Sequence, residues 1–201
     1  MKLVILDRDG TINEDRDDYV KSADEWVPVP GALEAIARLN HAGWHTVVAT
    51  NQSGLARGLF DMVALNAIHA RMNRELAEVG GRIDAIFFCP HGPDDGCRCR
   101  KPLPGLFETI RERYGVDLAE THLVGDSLRD LQAGTSVGCT THFVRTGKGA
   151  RLDEAEMLAV QSAVPNARIH ADLAAFAHEL LHEERVVRGD AAEPDSVFGS
   201  L

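Results

Sequence analysis

Two aspartates one residue apart stand just past a short apolar run: Asp7-Arg8-Asp9-Gly10-Thr11 follows Leu3-Val4-Ile5-Leu6. A carboxylate at a strand end can attack an electrophilic centre and carry it covalently. A second carboxylate two residues on, past a turn, can face the same spot and give or take a proton. Two close carboxylates also favour a divalent cation, which offsets their repulsion. The same residue types suit a plain tight turn, so this motif alone leaves both readings open. In Gly125-Asp126-Ser127-Leu128-Arg129-Asp130 a second acidic pair, Asp126 and Asp130, is spaced by one helical turn. An acidic first turn serves a helix N-terminus as well as a metal site. Thr50 offers a hydroxyl, and Asn51-Gln52-Ser53-Gly54 offer backbone N–H groups, that suit phosphate oxygens. Lys101, followed by Pro102 and Pro104 just before a helix, offers a charge able to clamp a phosphoryl group.

A different chemistry is concentrated in one loop. Cys89, His91, Cys97 and Cys99 supply three thiolates and an imidazole within eleven residues. This is a closed Cys₃His set of the kind that holds structural Zn²⁺; it leaves no open position for catalysis, so its expected role is to order the loop. Cys139 reads as a small buried hydrophobe beside a strand. His178-Glu179-Leu180-Leu181-His182 matches the H-E-x-x-H pattern of zinc proteases. The apolar face of that helix is Leu173, Phe176, Ala177, Leu180 and Leu181, which leaves both histidines toward solvent.

The elements that must position these groups alternate. Short apolar runs at 3–6, 46–49, 83–88, 122–124 and 140–144 read as strands. Helices are predicted from Pro30-Gly31 to Gly43, from an Asp61 N-cap to about Val79, from Pro104 to about Tyr114, and after Asp126 to about Val137. This alternation predicts an α/β fold, a doubly wound parallel sheet with helices on both faces, whose ligands bind at the carboxyl ends of strands. Four of those ends carry the residues singled out above. Beyond Val144 the pattern weakens to a short edge strand at 168–170 and a helix over 172–187. The chain therefore reads as a single domain, 1–187, with a disordered tail over 188–201.

With 201 residues, 44% of them hydrophobic and 26% charged, a core can be buried without disulfides. The 21 basic against 31 acidic residues give a net charge of −10. That excludes general attraction to nucleic acid or to an anionic membrane and confines anion binding to a local site. No apolar run approaches the length of a membrane helix, and the N-terminus lacks the pattern of a signal peptide. Clustered cysteines without a disulfide framework agree with a reducing compartment. A cytoplasmic monomer is the expectation.

Taken in order, Asp7–Thr11, Thr50, Lys101 and Asp126–Asp130 resemble the four motifs of the haloacid dehalogenase superfamily of phosphotransferases. The resemblance implies a Rossmann-like core. It makes Asp7 the nucleophile that becomes an aspartyl-phosphate, and Asp9 the general acid/base. Thr50 and Lys101 hold phosphoryl oxygens, with Arg8, Asn51 and Gln52 also among the substrate-binding candidates. Asp7, Asp126 and the backbone carbonyl of Asp9 bind Mg²⁺, and Asp130 stands behind them. Only eighteen residues separate Thr11 from Pro30, and one helix and strand fill 55–88, so no large cap domain fits. The site should be open, with the zinc-binding loop as its nearest wall.

The Cys-Pro-His…Cys-x-Cys-Arg-Lys-Pro segment is similar to a histidinol-phosphatase-like branch of that superfamily, which holds phosphatases of histidinol phosphate and of a heptose bisphosphate. Thr50-Asn51-Gln52-Ser53-Gly54-Leu55-Ala56-Arg57-Gly58 and Arg145-Thr146-Gly147-Lys148 resemble its heptose members. The implied activity is Mg²⁺-dependent hydrolysis of the C7 phosphate of D-glycero-D-manno-heptose 1,7-bisphosphate, a step toward nucleotide-activated heptose for lipopolysaccharide core. The alternatives are a histidinol-phosphate phosphatase of histidine biosynthesis and a non-catalytic phosphosugar-binding module. A bisphosphate brings a second dianion; Arg57 and Arg100, on loops at adjacent strand ends, could meet it or simply be solvated.

Overall fold

The computed structural model describes residues 1–189. Six strands form one parallel sheet in the order β3-β2-β1-β4-β5-β6: β1 Leu3–Leu6, β2 His45–Asn51, β3 Ala85–Cys89, β4 His122–Gly125, β5 Thr140–Val144 and β6 Arg168–His170. The helices between them are α1 Ala32–His41, α2 Met62–Glu78, α3 Gly105–Tyr114, α4 Leu128–Ser136, α5 Glu154–Ala163 and α6 Leu173–Arg188. Every residue of β1 is buried because helices cover both faces, which is why the strand reads as an unbroken apolar run. Its side chains still divide by pleat. Val4 and Leu6 join a core with Ile36 of α1, Met72 of α2 and Phe176 of α6. Leu3 and Ile5 face Phe107 and Ile110 of α3 and Ala133 of α4.

Strand order diverges on either side of β1 and β4, which pair directly, Leu6 opposite Val124. Connections leave this point in opposite directions and open a crevice at the carboxyl ends, the place where such sheets bind ligands. Asp7 and Asp126 are the residues that emerge there.

The structure departs from the sequence pattern in three places. β2 continues to Asn51, and β3 starts at Ala85 and ends on Cys89, because Asn51 pairs with Cys89 in the ladder. α5 went unrecognised: it buries only Val160 and is held by an Asp153–Glu156 capping box, so it has little periodic apolar signal. α6 runs through Arg188 and stops on Gly189 in the left-handed region at φ 77°; the rest of the expected tail, 190–201, lies outside the described residues. The H-E-x-x-H histidines, His178 and His182, are exposed with their rings stacked on each other, while Glu179 and Glu183 pair with Arg168. No helix among the described residues is long and apolar enough to cross a membrane.

Candidate active site

The crevice holds a cleft of ≈ 280 Å³ lined by Asp7, Asp9, Thr50, Lys101, Asp126 and Asp130, among others. The loops after β1 and β3 are not expanded into a cap. The loop at 15–20 forms a wall that sequence reasoning did not foresee.

Lys101 is the organising charge. Its ammonium reaches Ala49 O at 2.7 Å, Asp7 Oδ1 at 2.9 Å and Asp130 Oδ1 at 2.6 Å. Three donors thus meet three acceptors, with the side chain 2% exposed. Burial works against its charge, but Asp130 and Asp7 outweigh it and raise the pKa. Asn51 fixes the main chain of this residue: its side chain accepts from Lys101 N and donates to Lys101 O, each at 3.0 Å. Asn51 lines the cleft, but its amide is committed to positioning Lys101.

Asp7 leaves β1 with its N–H on Val124 O. Its Oδ1 accepts from Arg8 N at 2.8 Å and from Lys101. Burial and the nearby Asp130 push its pKa up to about 6, against the pull of Lys101. Asp126, at the end of β4, accepts from Lys148 N at 2.6 Å and is pushed up to about 8 by burial and by Asp130 and Asp7. Two glycines make room for it. A Cβ on Gly10 (φ +87°) would lie 2.0 Å from Asp126 Oδ2, and one on Gly147 (φ +51°) 2.3 Å from the same atom. Asp130 is the capping-box residue of α4, receiving Ser127 N and Oγ on Oδ2 while Oδ1 faces Lys101.

Carboxylate oxygens of Asp7, Asp126 and Asp130 lie within 4.8 Å of one another. Asp130 spends both of its oxygens on Lys101 and Ser127. That leaves Asp7 and Asp126 as donors for a hard divalent cation. The raised pKa of each marks buried negative charge that Lys101 alone does not compensate, and an oxygen donor set of this kind fits Mg²⁺. The side chain of Asp9 is not in this cluster. Its carboxylate receives Arg8, Asn13 and Gln52, the last at 2.8 Å. Burial opposes its charge, but Arg8 and these hydrogen bonds prevail and lower its pKa.

Arg8 and Arg57 do not line the cleft. The Arg8 side chain is buried against Asp9 and His69 because α2 closes over it. Arg57 rides an exposed turn and sits over the Tyr19 ring at 6.0 Å. Gln52 lines the cleft with its amide on Asp9 and on Thr50 Oγ1. Arg100 does line it, and donates to His91 O at 3.3 Å. Three further cations, Arg16, Arg129 and Lys148, join it; Arg16 is paired with Asp18 at 3.0 Å and Lys148 is held by Asp15 at 2.5 Å. Arg129 falls inside the Gly125–Asp130 motif and Lys148 inside Arg145–Lys148, so both stood in segments already singled out.

The cysteine loop leads directly into Arg100 and Lys101, which line the cleft. Cys89 Sγ lies 3.7 Å from Cys97 Sγ and 3.6 Å from His91 Nδ1; Cys99 Sγ is 3.2 Å from both Cys89 Sγ and His91 Nδ1. A tetrahedral ion with ordinary Zn–S and Zn–N bonds separates sulfurs by about 3.8 Å and sulfur from nitrogen by about 3.6 Å. Two of the spacings match and two are tighter, so the set fits a four-coordinate metal with His91 bound through Nδ1.

Comparison with known proteins follows the same lines. A HAD-hydrolase-like family model matches residues 98–176. A D-glycero-beta-D-manno-heptose-1,7-bisphosphate 7-phosphatase from Bordetella bronchiseptica is 58% identical over 183 residues, 91% of this chain and 99% of that protein. The protein of the same name from Escherichia coli is 39% identical over 72% of this chain and 80% of its own length. The B. bronchiseptica D,D-heptose 1,7-bisphosphate phosphatase, solved with magnesium and phosphate, superposes with a TM-score of 0.86 over 91% of this chain and 99% of that one. With the strand order, the acidic crevice and identity over nearly its whole length in agreement, the chain belongs to the heptose-bisphosphate phosphatase family of the haloacid dehalogenase superfamily.

Proposed function

We propose that this chain hydrolyses the C7 phosphate of D-glycero-D-manno-heptose 1,7-bisphosphate with Mg²⁺, through an aspartyl-phosphate on Asp7. The chemistry rests on one observation: Asp7 is held beside Lys101 and Asp126 at the topological switch point of the sheet. The substrate rests on what the relatives are named to act on. An oxygen of Asp7 bonds to phosphorus as the bond from phosphorus to the C7 oxygen breaks. Asp9 gives that leaving oxygen a proton, then takes one from the water that releases Asp7 and inorganic phosphate. Asp9 is ionised in the free protein and takes up a proton from solvent as the phosphate brings negative charge beside it. Lys101 and the hydroxyl of Thr50 hold phosphoryl oxygens. Asp7, Asp126 and the Asp9 carbonyl would hold Mg²⁺, which when bound neutralises phosphoryl charge. Cys89, His91, Cys97 and Cys99 would hold Zn²⁺ to order the loop that presents Arg100 and Lys101. Arg100 and Arg129 are the cations we assign to the C1 phosphate that is retained.

A monomer in the cytoplasm, in the branch that makes nucleotide-activated heptose, completes the reading. It is tested by phosphate release from heptose 1,7-bisphosphate, fructose 1,6-bisphosphate and histidinol phosphate side by side. Highest kcat/KM on the heptose, with a 1-phosphate product, is expected. Preference for histidinol phosphate would overturn the substrate, and absence of turnover on all three the activity.

A further inference from the structure

Arg8 stands between the two active-site aspartates in the chain, yet its guanidinium turns away from the cleft and is 1% exposed. It grips Asp9. Nη2 lies 2.9 Å from Oδ1 and 3.0 Å from Oδ2, and Nε 3.2 Å from Oδ1. Its outer nitrogen, Nη1, meets Nε2 of His69 at 3.2 Å. His69 is a buried residue of α2, sixty-one positions along the chain, with its ring packed near Phe88.

An arginine only donates, so His69 Nε2 must be the acceptor, and the ring is the neutral tautomer with its proton on Nδ1. Burial and the facing Arg8 hold the His69 pKa down at about 4, in keeping with that state. A planar guanidinium with both ends engaged cannot swing: Asp9 fixes one edge and His69 the other. Loss of the His69 acceptor would orphan a buried N–H and free the plane to turn. Asp9 would keep Asn13 and Gln52, which approach from other directions.

We propose that His69 is a positioning residue for the proton transfer, acting through Arg8 to fix the carboxylate of Asp9. This inference rests on Asp9 being the proton carrier proposed above. The neighbour that decides the placement of the acid is thus a helix residue outside the cleft.

The test uses His69→Phe, which keeps a ring beside Phe88 but removes the acceptor, and His69→Gln, whose side-chain oxygen can accept from Arg8. Each is assayed on a sugar phosphate, whose leaving oxygen needs a proton, and on p-nitrophenyl phosphate, whose leaving group does not. The ratio of the two turnovers within one sample is independent of the folded fraction. For His69→Phe, kcat on the sugar phosphate is expected to fall by about 10-fold to 100-fold, the scale of a small misplacement of a catalytic group. KM should stay within twofold and the aryl ester should lose far less. His69→Gln should recover most of the ratio. An unchanged ratio in His69→Phe, or equal failure of the Phe and Gln variants, overturns the proposal. Asp9→Asn serves as the control: if it damages both substrates equally, the proton-carrier reading falls and takes this inference with it. If Asp9→Asn shows the leaving-group dependence and His69→Phe does not, only the role of His69 is refuted.

Discussion

Replacing Lys101 by methionine keeps the length of the side chain and deletes one charge. In the native protein that charge satisfies Ala49 O, Asp7 and Asp130 at 2.6–2.9 Å with almost no solvent. Removing one member of a buried ion pair costs about 3–5 kcal/mol, because the partner charge stays behind. For a chain of this length each kcal/mol is worth about 2–4 °C, so the melting temperature should drop by about 6–20 °C. Three carboxylates would then share the crevice without the lysine, and Mg²⁺ should raise the melting temperature more in the variant than in the parent. Turnover should suffer separately. Asp7 loses the neighbour that pulls its pKa down toward 6, and the loss of one charged donor to the phosphoryl group costs about 10²–10³ in kcat. Thermal melts with and without Mg²⁺, and kcat at saturating substrate, read the two effects independently. A melting temperature within 2 °C of the parent, to within the ~0.5–1 kcal/mol that this corresponds to, would refute the view that Lys101 holds the crevice together.

Gly147→Ala should weaken Mg²⁺ binding and turnover together, since the new Cβ would fall 2.3 Å from Asp126 Oδ2 and 2.4 Å from Gly10 Cα; unchanged Mg²⁺ dependence of activity would contradict the close approach. Arg100→Ala and Arg129→Ala should each lose about one to two decades of kcat/KM on the bisphosphate, the worth of a charge-assisted contact, and much less on a small monophosphate; equal losses on both would show that these arginines serve the reacting phosphoryl group. Metal analysis should find one Zn²⁺ per chain that survives dialysis, and chelation of it should lower the melting temperature before it lowers kcat with Mg²⁺ restored; protein free of zinc after purification would remove the assignment. Acid should destabilise the fold through the buried ladder of His122, His142 and His170, joined by hydrogen bonds of 2.9 Å across β4, β5 and β6. Burial lowers all three pKa values, that of His142 to about 2, so the unfolded chain binds more protons below its own value of 6.5. The contribution of the ladder is therefore complete well above pH 6.5 and is lost as pH falls below it, by about 1.4 kcal/mol per pH unit for His142; urea midpoints in saturating Mg²⁺, which keeps Asp7 and Asp126 ionised, that stay flat from pH 7 to 5 would refute this.

Much of this molecule is legible in one dimension because the informative residues sit where regular structure stops. Asp7, Thr50 and Asp126 each close an apolar run, and in a parallel sheet every such end lies on the same edge. The four zinc-type ligands lie within eleven residues, so local spacing alone brings them together. The direction of a side chain, by contrast, is set by what packs over it. Arg8 sits between two site residues yet faces α2, where His69 accepts from it. Asn51 and Gln52 line the cleft but spend their amides on Lys101 and Asp9, partners 50 and 43 positions away in the chain. Arg57 lies in the loop that follows Thr50 and is carried outward onto Tyr19, whereas Lys148, from beyond β5, is brought to Asp126. Helix α5 left no trace because it buries only Val160. Composition, periodicity and spacing determine which groups reach the crevice edge. Which atoms then meet is decided by strand order and helix packing, because a buried polar group must find its partner among whatever the tertiary fold sets beside it.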